Sequence, residues 1–142
     1  MFLQVYFFVV TIYGWYKWNA KTSENKISET SFRNKIFIAV AVLIGTMISG
    51  VLFTNIHLYL PALFKLRAAY PFTDSFVMVL SIMATILLAK KKLENWYLWI
   101  AIDLICIVLY FQKGVYFLSL EYFIFLGLAS YGLYHWKKTI GR

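Results

Sequence analysis

The stretch KKKLENWYLWIAIDLICIVLYFQK, Lys90 to Lys113, decides how the whole chain is read. Residues 95–112 form an apolar run that holds a single charge, Asp103, and basic residues flank it on both sides. A run of that length meets the ~17–25 residues that a helix needs to cross a hydrocarbon core. A charge at mid-depth costs at least ~2.5–3.5 kcal/mol on insertion scales, so such a group normally faces a partner or a water-filled cavity. At 100° per residue, Trp96, Trp99, Asp103, Cys106 and Tyr110 fall within an arc of about 80°. Two indoles, a carboxylate and a phenol thus share one face. Trp96 lies at the interface, where an indole also serves as an anchor; Trp99 lies a turn deeper, where anchoring is less natural.

Outward from this segment the chain keeps the same character. It is 62% hydrophobic, 20% aromatic and 14% charged, whereas a soluble domain carries roughly 25% charged and about 45–50% apolar residues. A folded chain of ~150 residues still leaves about 30% of its unfolded-state surface in water, so one small core cannot hide this excess. Lipid is the second apolar solvent. Further apolar runs at 2–18, 36–56, 72–89 and 114–136 join 95–112 to give an all-α membrane protein of about five transmembrane helices. The first is marginal in length. It has no basic leader and no small-residue cleavage site, so it does not read as a signal peptide. Between the runs, 19–35 is polar and reads as a solvated cytoplasmic loop. The connection 57–71 holds Pro61, Pro71, Lys65 and Arg67 and suits a short interfacial helix.

The net charge of +8 sits in short clusters between apolar runs, a pattern unlike the continuous basic face of a nucleic-acid binder. Eleven lysines and arginines fall on one side (Lys17, Lys21, Lys26, Arg33, Lys35, Lys90, Lys91, Lys92, Lys137, Lys138, Arg142) and three on the other (Lys65, Arg67, Lys113). Basic loops stay in the cytoplasm, so 19–35, 90–94 and the C-terminus are expected inside and Met1 outside. The one cysteine, Cys106, and the two histidines are too dispersed for a disulfide framework or a metal cluster. No cofactor motif is present.

Tyr13-Gly14-Trp15-Tyr16-Lys17-Trp18 matches Tyr131-Gly132-Leu133-Tyr134-His135-Trp136 at four of six positions. Both copies close an apolar helix at its cytoplasmic end, with an odd number of helices between them. Parallel repeats about an axis along the membrane normal have this property; aromatic belts also look alike at any interface, but here the glycine and its spacing recur as well. Other polar groups also fall within the apolar runs. Asp74, Ser81 and Thr85 share a stripe, in which Asp74 suits a helix N-cap and the hydroxyls suit helix packing. Gln4, Thr11, Trp15 and Trp18 form another stripe, and Glu121 lies in the outer part of the last helix. Indole faces beside a carboxylate favour a flat or cationic solute, and amide, hydroxyl and phenol groups satisfy hydroxyls or a carboxamide.

Over most of its length the chain resembles the nicotinamide riboside transporter family (PnuC), related in architecture to the SWEET sugar transporters. The resemblance is carried by Asp74-Ser75, the run from Lys90 to Trp99, Asp103, Lys113-Gly114 and the closing Tyr131-Gly132 to Trp136-Lys137; Glu-Asn-Trp-x-x-Trp-x-x-x-Asp is its most specific element. It implies two parallel three-helix bundles joined by one helix. Residues 1–18 would be the last helix of the N-terminal bundle, 36–56 the linker, and 72–142 the C-terminal bundle and tail. It also implies facilitated diffusion of nicotinamide riboside across a bacterial inner membrane, without ion or nucleotide coupling. Trp96, Trp99 and Asp103 match the family pattern near substrate, and Gln4 and Tyr13 match the equivalent part of the first bundle. Tyr110 and Glu121 complete the candidate substrate-binding set. Two helices of the family's first bundle have no counterpart here, so a longer gene or a homo-oligomeric assembly is expected to complete the path. Thiamine and riboflavin are alternative solutes for the same aromatic chemistry. An intramembrane enzyme would need a nucleophile–base pair or histidine boxes, which the sequence lacks; a non-transporting subunit or fragment is the remaining alternative.

Overall fold

Backbone N–H and C=O groups have no water to bond in lipid, so an apolar chain there must satisfy them within itself as helix. The computed structural model describes residues 2–19, 26–59 and 69–141, which fold into five helices: α1 (Phe2–Asn19), α2 (Phe32–Tyr59), α3 (Pro71–Ala89), α4 (Glu94–Gln112) and α5 (Tyr116–Ile140). Four of them, α2 to α5, are long and apolar enough to cross a membrane. α1, the marginal segment, is not among these four, because its last two turns are aromatic and polar rather than aliphatic. The protein is thus an all-α membrane protein.

Local chemistry sets the boundaries. Pro71 opens α3, where its missing N–H costs nothing. Gly114 turns the chain between α4 and α5 with φ 74°, a conformation that glycine adopts without a Cβ penalty. α2 begins at Phe32, four residues before the apolar run, because Arg33 and Lys35 have stems long enough to keep their charges in the interface while the backbone is already helical. Of the 57–71 connection, 60–68, with Pro61, Lys65, Arg67 and the expected interfacial helix, lies outside the described residues, as do Met1, 20–25 and Arg142.

α3 stands at the centre, contacted by α1, α2 and α4, and α5 packs on α4. The core gathers Val42, Leu80, Ala84, Ile102 and Cys106 from α2, α3 and α4. Around it the surface is strongly apolar: Phe37 is 70% exposed, Leu43 63%, Met47 62% and Phe123 62%. Burying such side chains is worth ~1.5–3 kcal/mol each, a gain that lipid supplies here in place of protein. α1 docks on α3 through Gly14, where a Cβ would stand 3.4 Å from the backbone of Ala89. The Tyr6 hydroxyl donates to Ile82 O at 3.2 Å, and Trp18 Nε1 donates to Ala89 O at 3.2 Å.

The segment before α2 differs from the solvated loop that its polarity suggests. Ser28 N donates to Lys91 O at 3.1 Å, and Leu93 N donates back to Ser28 O at 3.0 Å. Thr30 is buried, and its N and Oγ1 each donate to a Glu94 carboxylate oxygen at 2.8 Å. Lys35 Nζ lies 3.0 Å from the same carboxylate. Ser28 and Thr30 therefore bond to the α3–α4 turn and to the first residue of α4, while Lys26, Glu29 and Ser31 beside them are exposed.

Candidate functional site

Four helices line an open cavity of about 350 Å³. α4 supplies Trp96, Trp99, Ile102 and Asp103; α3 supplies Val77 and Ser81; α5 supplies Tyr122, Phe125, Leu128 and Ala129; Phe7 of α1 closes one side. The 3.6-residue period brings the α4 quartet onto one face, and α3 and α5 pack on the two sides of that face.

Asp103 is only 3% exposed. The ion pairs among the described residues are Lys35–Glu94 and Lys113–Asp74, and neither reaches it. A buried carboxylate without a countercharge is costly, and the cavity is where such a charge can meet a bound cation. Ser81 Oγ donates to Val77 O of its own helix at 2.8 Å, which leaves its oxygen free to accept. The Trp96 indole nitrogen is buried with no hydrogen-bond partner among the described residues. The cavity therefore offers a carboxylate, two indoles, a phenol and a hydroxyl, and no basic side chain lines it among the described residues.

The expected site residues separate into two groups. Trp96, Trp99 and Asp103 come together at the cavity. Tyr110, although on the same face of α4, does not line it; its ring stacks on Tyr122 with centroids 5.5 Å apart and planes 6° apart. Glu121 does not line it either, because it precedes Tyr122 and is turned 100° away around α5. α1 reaches the cavity only through Phe7. Gln4 lies a turn further out on the same stripe and is exposed, whereas Tyr13, six residues on, is rotated to the far side and is 52% exposed. Asp74 does not cap α3: Tyr70 occupies that position without a side-chain bond, and Asp74 instead pairs with Lys113 at 3.3 Å.

Aromatic contacts flank the cavity at both ends. At the end shared by the closing turns of α1 and α5, Trp136 meets Trp96 edge-on at 5.4 Å and Trp18 at 6.3 Å. Trp18 and Trp136 are the matching tryptophans of the two sequence repeats, and they meet in space. At the other end Lys113 lies over Tyr110 and Tyr70, at 5.6 and 5.4 Å, and Tyr110 backs Tyr122. Tyr122 is the polar cavity residue that the sequence did not single out. α5 is aromatic on every side, so periodicity along it marks no inner face; the matching phenol of Tyr110 on α4 was the one available signal.

Fold and cavity together define a helical membrane protein with an internal space of solute size. The chain belongs to the nicotinamide mononucleotide transporter family, whose model matches residues 1–138. It is 36% identical over 163 aligned positions to the nicotinamide riboside transporter PnuC of Escherichia coli (strain K12), covering 98% of this chain and 66% of that protein. It is 29% identical over 132 positions to the riboflavin/roseoflavin transporter RibM of Streptomyces davaonensis (89% of this chain, 58% of that protein), and 29% identical over 129 positions to the PnuC of Neisseria mucosa (87% and 45%). The chain thus spans about two thirds or less of the length of these relatives. No solved structure matches it significantly.

Proposed function

We propose that the protein carries nicotinamide riboside across the membrane by facilitated diffusion, with Trp96, Trp99 and Asp103 as the principal substrate contacts and Tyr122 and Ser81 completing the site. The observation that carries this reading is the charge of the cavity among the described residues: one unpaired carboxylate, two indoles and no basic side chain. The family description names a mononucleotide and two of the relatives a riboside. A phosphate is normally held by arginine, lysine or a cluster of backbone N–H groups; a cationic pyridinium ring is suited to indole faces and a carboxylate. The chemistry of the site therefore favours the riboside. Riboflavin, named for the Streptomyces relative, is the second reading. A cavity of about 350 Å³ lies near the lower end of the ~300–1,000 Å³ found for small-molecule sites, which favours one ring over three.

The lysine and arginine bias orients the protein with its C-terminus and the α3–α4 turn in the cytoplasm, in a bacterial plasma membrane. α3, α4 and α5 form one three-helix unit, α2 the linker and α1 the last helix of a second unit. Lipid covers the exposed apolar faces, a homo-oligomer is compatible with them, and neither catalysis nor nucleic-acid binding is part of the reading. Binding of nicotinamide riboside, its mononucleotide, thiamine and riboflavin to the purified full-length protein, compared by calorimetry, tests the proposal. The riboside should bind tightest, at least about tenfold more tightly than the mononucleotide, whose phosphate would sit without a basic partner. A mononucleotide that binds as well as the riboside would defeat it.

A further inference from the structure

We infer that Gly132 sets the depth of the cavity by seating the Trp96 indole, and thereby limits the size of aromatic solute that enters; this rests on the function proposed above. The six-membered ring of Trp96 lies directly on the α5 backbone. A Cβ added at Gly132 would stand 2.5 Å from Cη2, 2.6 Å from Cζ3 and 2.7 Å from Cζ2 of that ring, far inside van der Waals contact, which begins at about 3.5 Å between carbons. One helical turn further on, Trp136 closes the next side of the indole, edge-on at 5.4 Å, and is itself backed by Trp18 at 6.3 Å. With the α5 backbone on one side and the tryptophan pair on another, the open direction is the cavity that Trp96 lines. Among the described residues no hydrogen bond fixes the ring, because its Nε1 has no partner there; packing holds it. Any side chain at 132 therefore drives the indole inward and shortens the cavity.

Gly127 on the same helix gives the contrast, since nothing lies within 4 Å of a Cβ placed there. Glycine is a poor helix former at either position, so a requirement for glycine at 132 and not at 127 would reflect the indole and not the helix.

The test uses the full-length protein with nicotinamide riboside as the titrated ligand, in four variants: Gly132→Ala, Gly127→Ala, Trp96→Phe and the double variant Gly132→Ala/Trp96→Phe. Gly127→Ala should bind as the wild type does. Gly132→Ala should weaken binding by about tenfold or more, the scale of overpacking a closed site. In the double variant the smaller phenyl ring clears the new methyl, so affinity should return to that of Trp96→Phe alone, a non-additivity that only residues in contact display. If Gly132→Ala fails to fold, the double variant still decides: it should fold and bind like Trp96→Phe. Wild-type affinity in Gly132→Ala, or a double variant that shows the sum of the two losses, overturns the inference while leaving the transport reading intact. A wild-type protein that binds no nicotinamide riboside overturns the transport reading and this inference with it.

Discussion

Asp103 sits mid-helix in α4, 3% exposed and without an ion-pair partner among the described residues, so a cation in the cavity beside it would stabilise its charge. Replacing it with asparagine keeps the shape and removes the charge. A charge-assisted contact contributes ~1.5–3 kcal/mol, so Asp103→Asn should weaken binding of nicotinamide riboside by about 10- to 150-fold. Tyr13→Ala should change it by no more than about twofold, the effect of an ordinary surface substitution, because Tyr13 lies on the far side of α1. Equal losses in the two variants, measured by calorimetry, would disprove this division. The α4 face was legible in the sequence because its residues lie within four turns of one helix, where period alone fixes who shares a side. Tyr110 shows where this stops: the period placed it on the right face, but only the packing of α5 shows that Tyr122 stands between it and the cavity. As site residues Gln4 and Tyr13 came from likeness to a family pattern; on α1, Gln4 shares the stripe of Phe7 but lies a turn further out and exposed, and Tyr13 is turned away from Phe7 around the helix.

Between elements, the clasp of the pre-α2 segment on the α3–α4 turn joins parts of the chain 64 residues apart. Thr30, Ser28, Lys35 and Lys92 look like solvated polar residues in sequence, because their partners lie beyond any local window. The buried Thr30 would lose both acceptors in Glu94→Ala, at a cost of ~1–3 kcal/mol, with roughly 2–4 °C of melting temperature lost per kcal/mol for a chain of this size. The exposed end of the Lys35 pair contributes little in comparison. Differential scanning fluorimetry in detergent should therefore show a clear drop for Glu94→Ala and a much smaller one for Lys35→Ala; equal drops would mean that the ion pair, not the threonine bonds, holds the clasp. The repeated Tyr-Gly motif shows the opposite balance. Its recurrence was readable, but the reasons for its glycines were not: Gly14 admits the Ala89 backbone and Gly132 admits the Trp96 ring, contacts that depend on how α1 meets α3 and how α5 meets α4.

For the whole molecule, composition and apolar run length were enough to specify a helical membrane protein, because the bilayer fixes helix length from outside the chain. They could not specify which helices would enclose a space. That depends on α3 standing between α2 and α4, and on α5 packing on α4 across the aromatic face. The central claim is that this face lines a water-accessible passage. It is tested most directly with single cysteines in a Cys106→Ala background of the full-length protein, labelled by a hydrophilic thiol reagent. Lys113→Cys should react in intact cells and Lys138→Cys only after lysis, which orients the chain. In purified protein, Ser81→Cys should react and be protected by nicotinamide riboside, whereas Val108→Cys, on the 56% exposed outer side of α4, should stay unreactive in lipid. A Ser81→Cys thiol that is as inert as Val108→Cys, or that reacts at the same rate with and without the riboside, would contradict the claim.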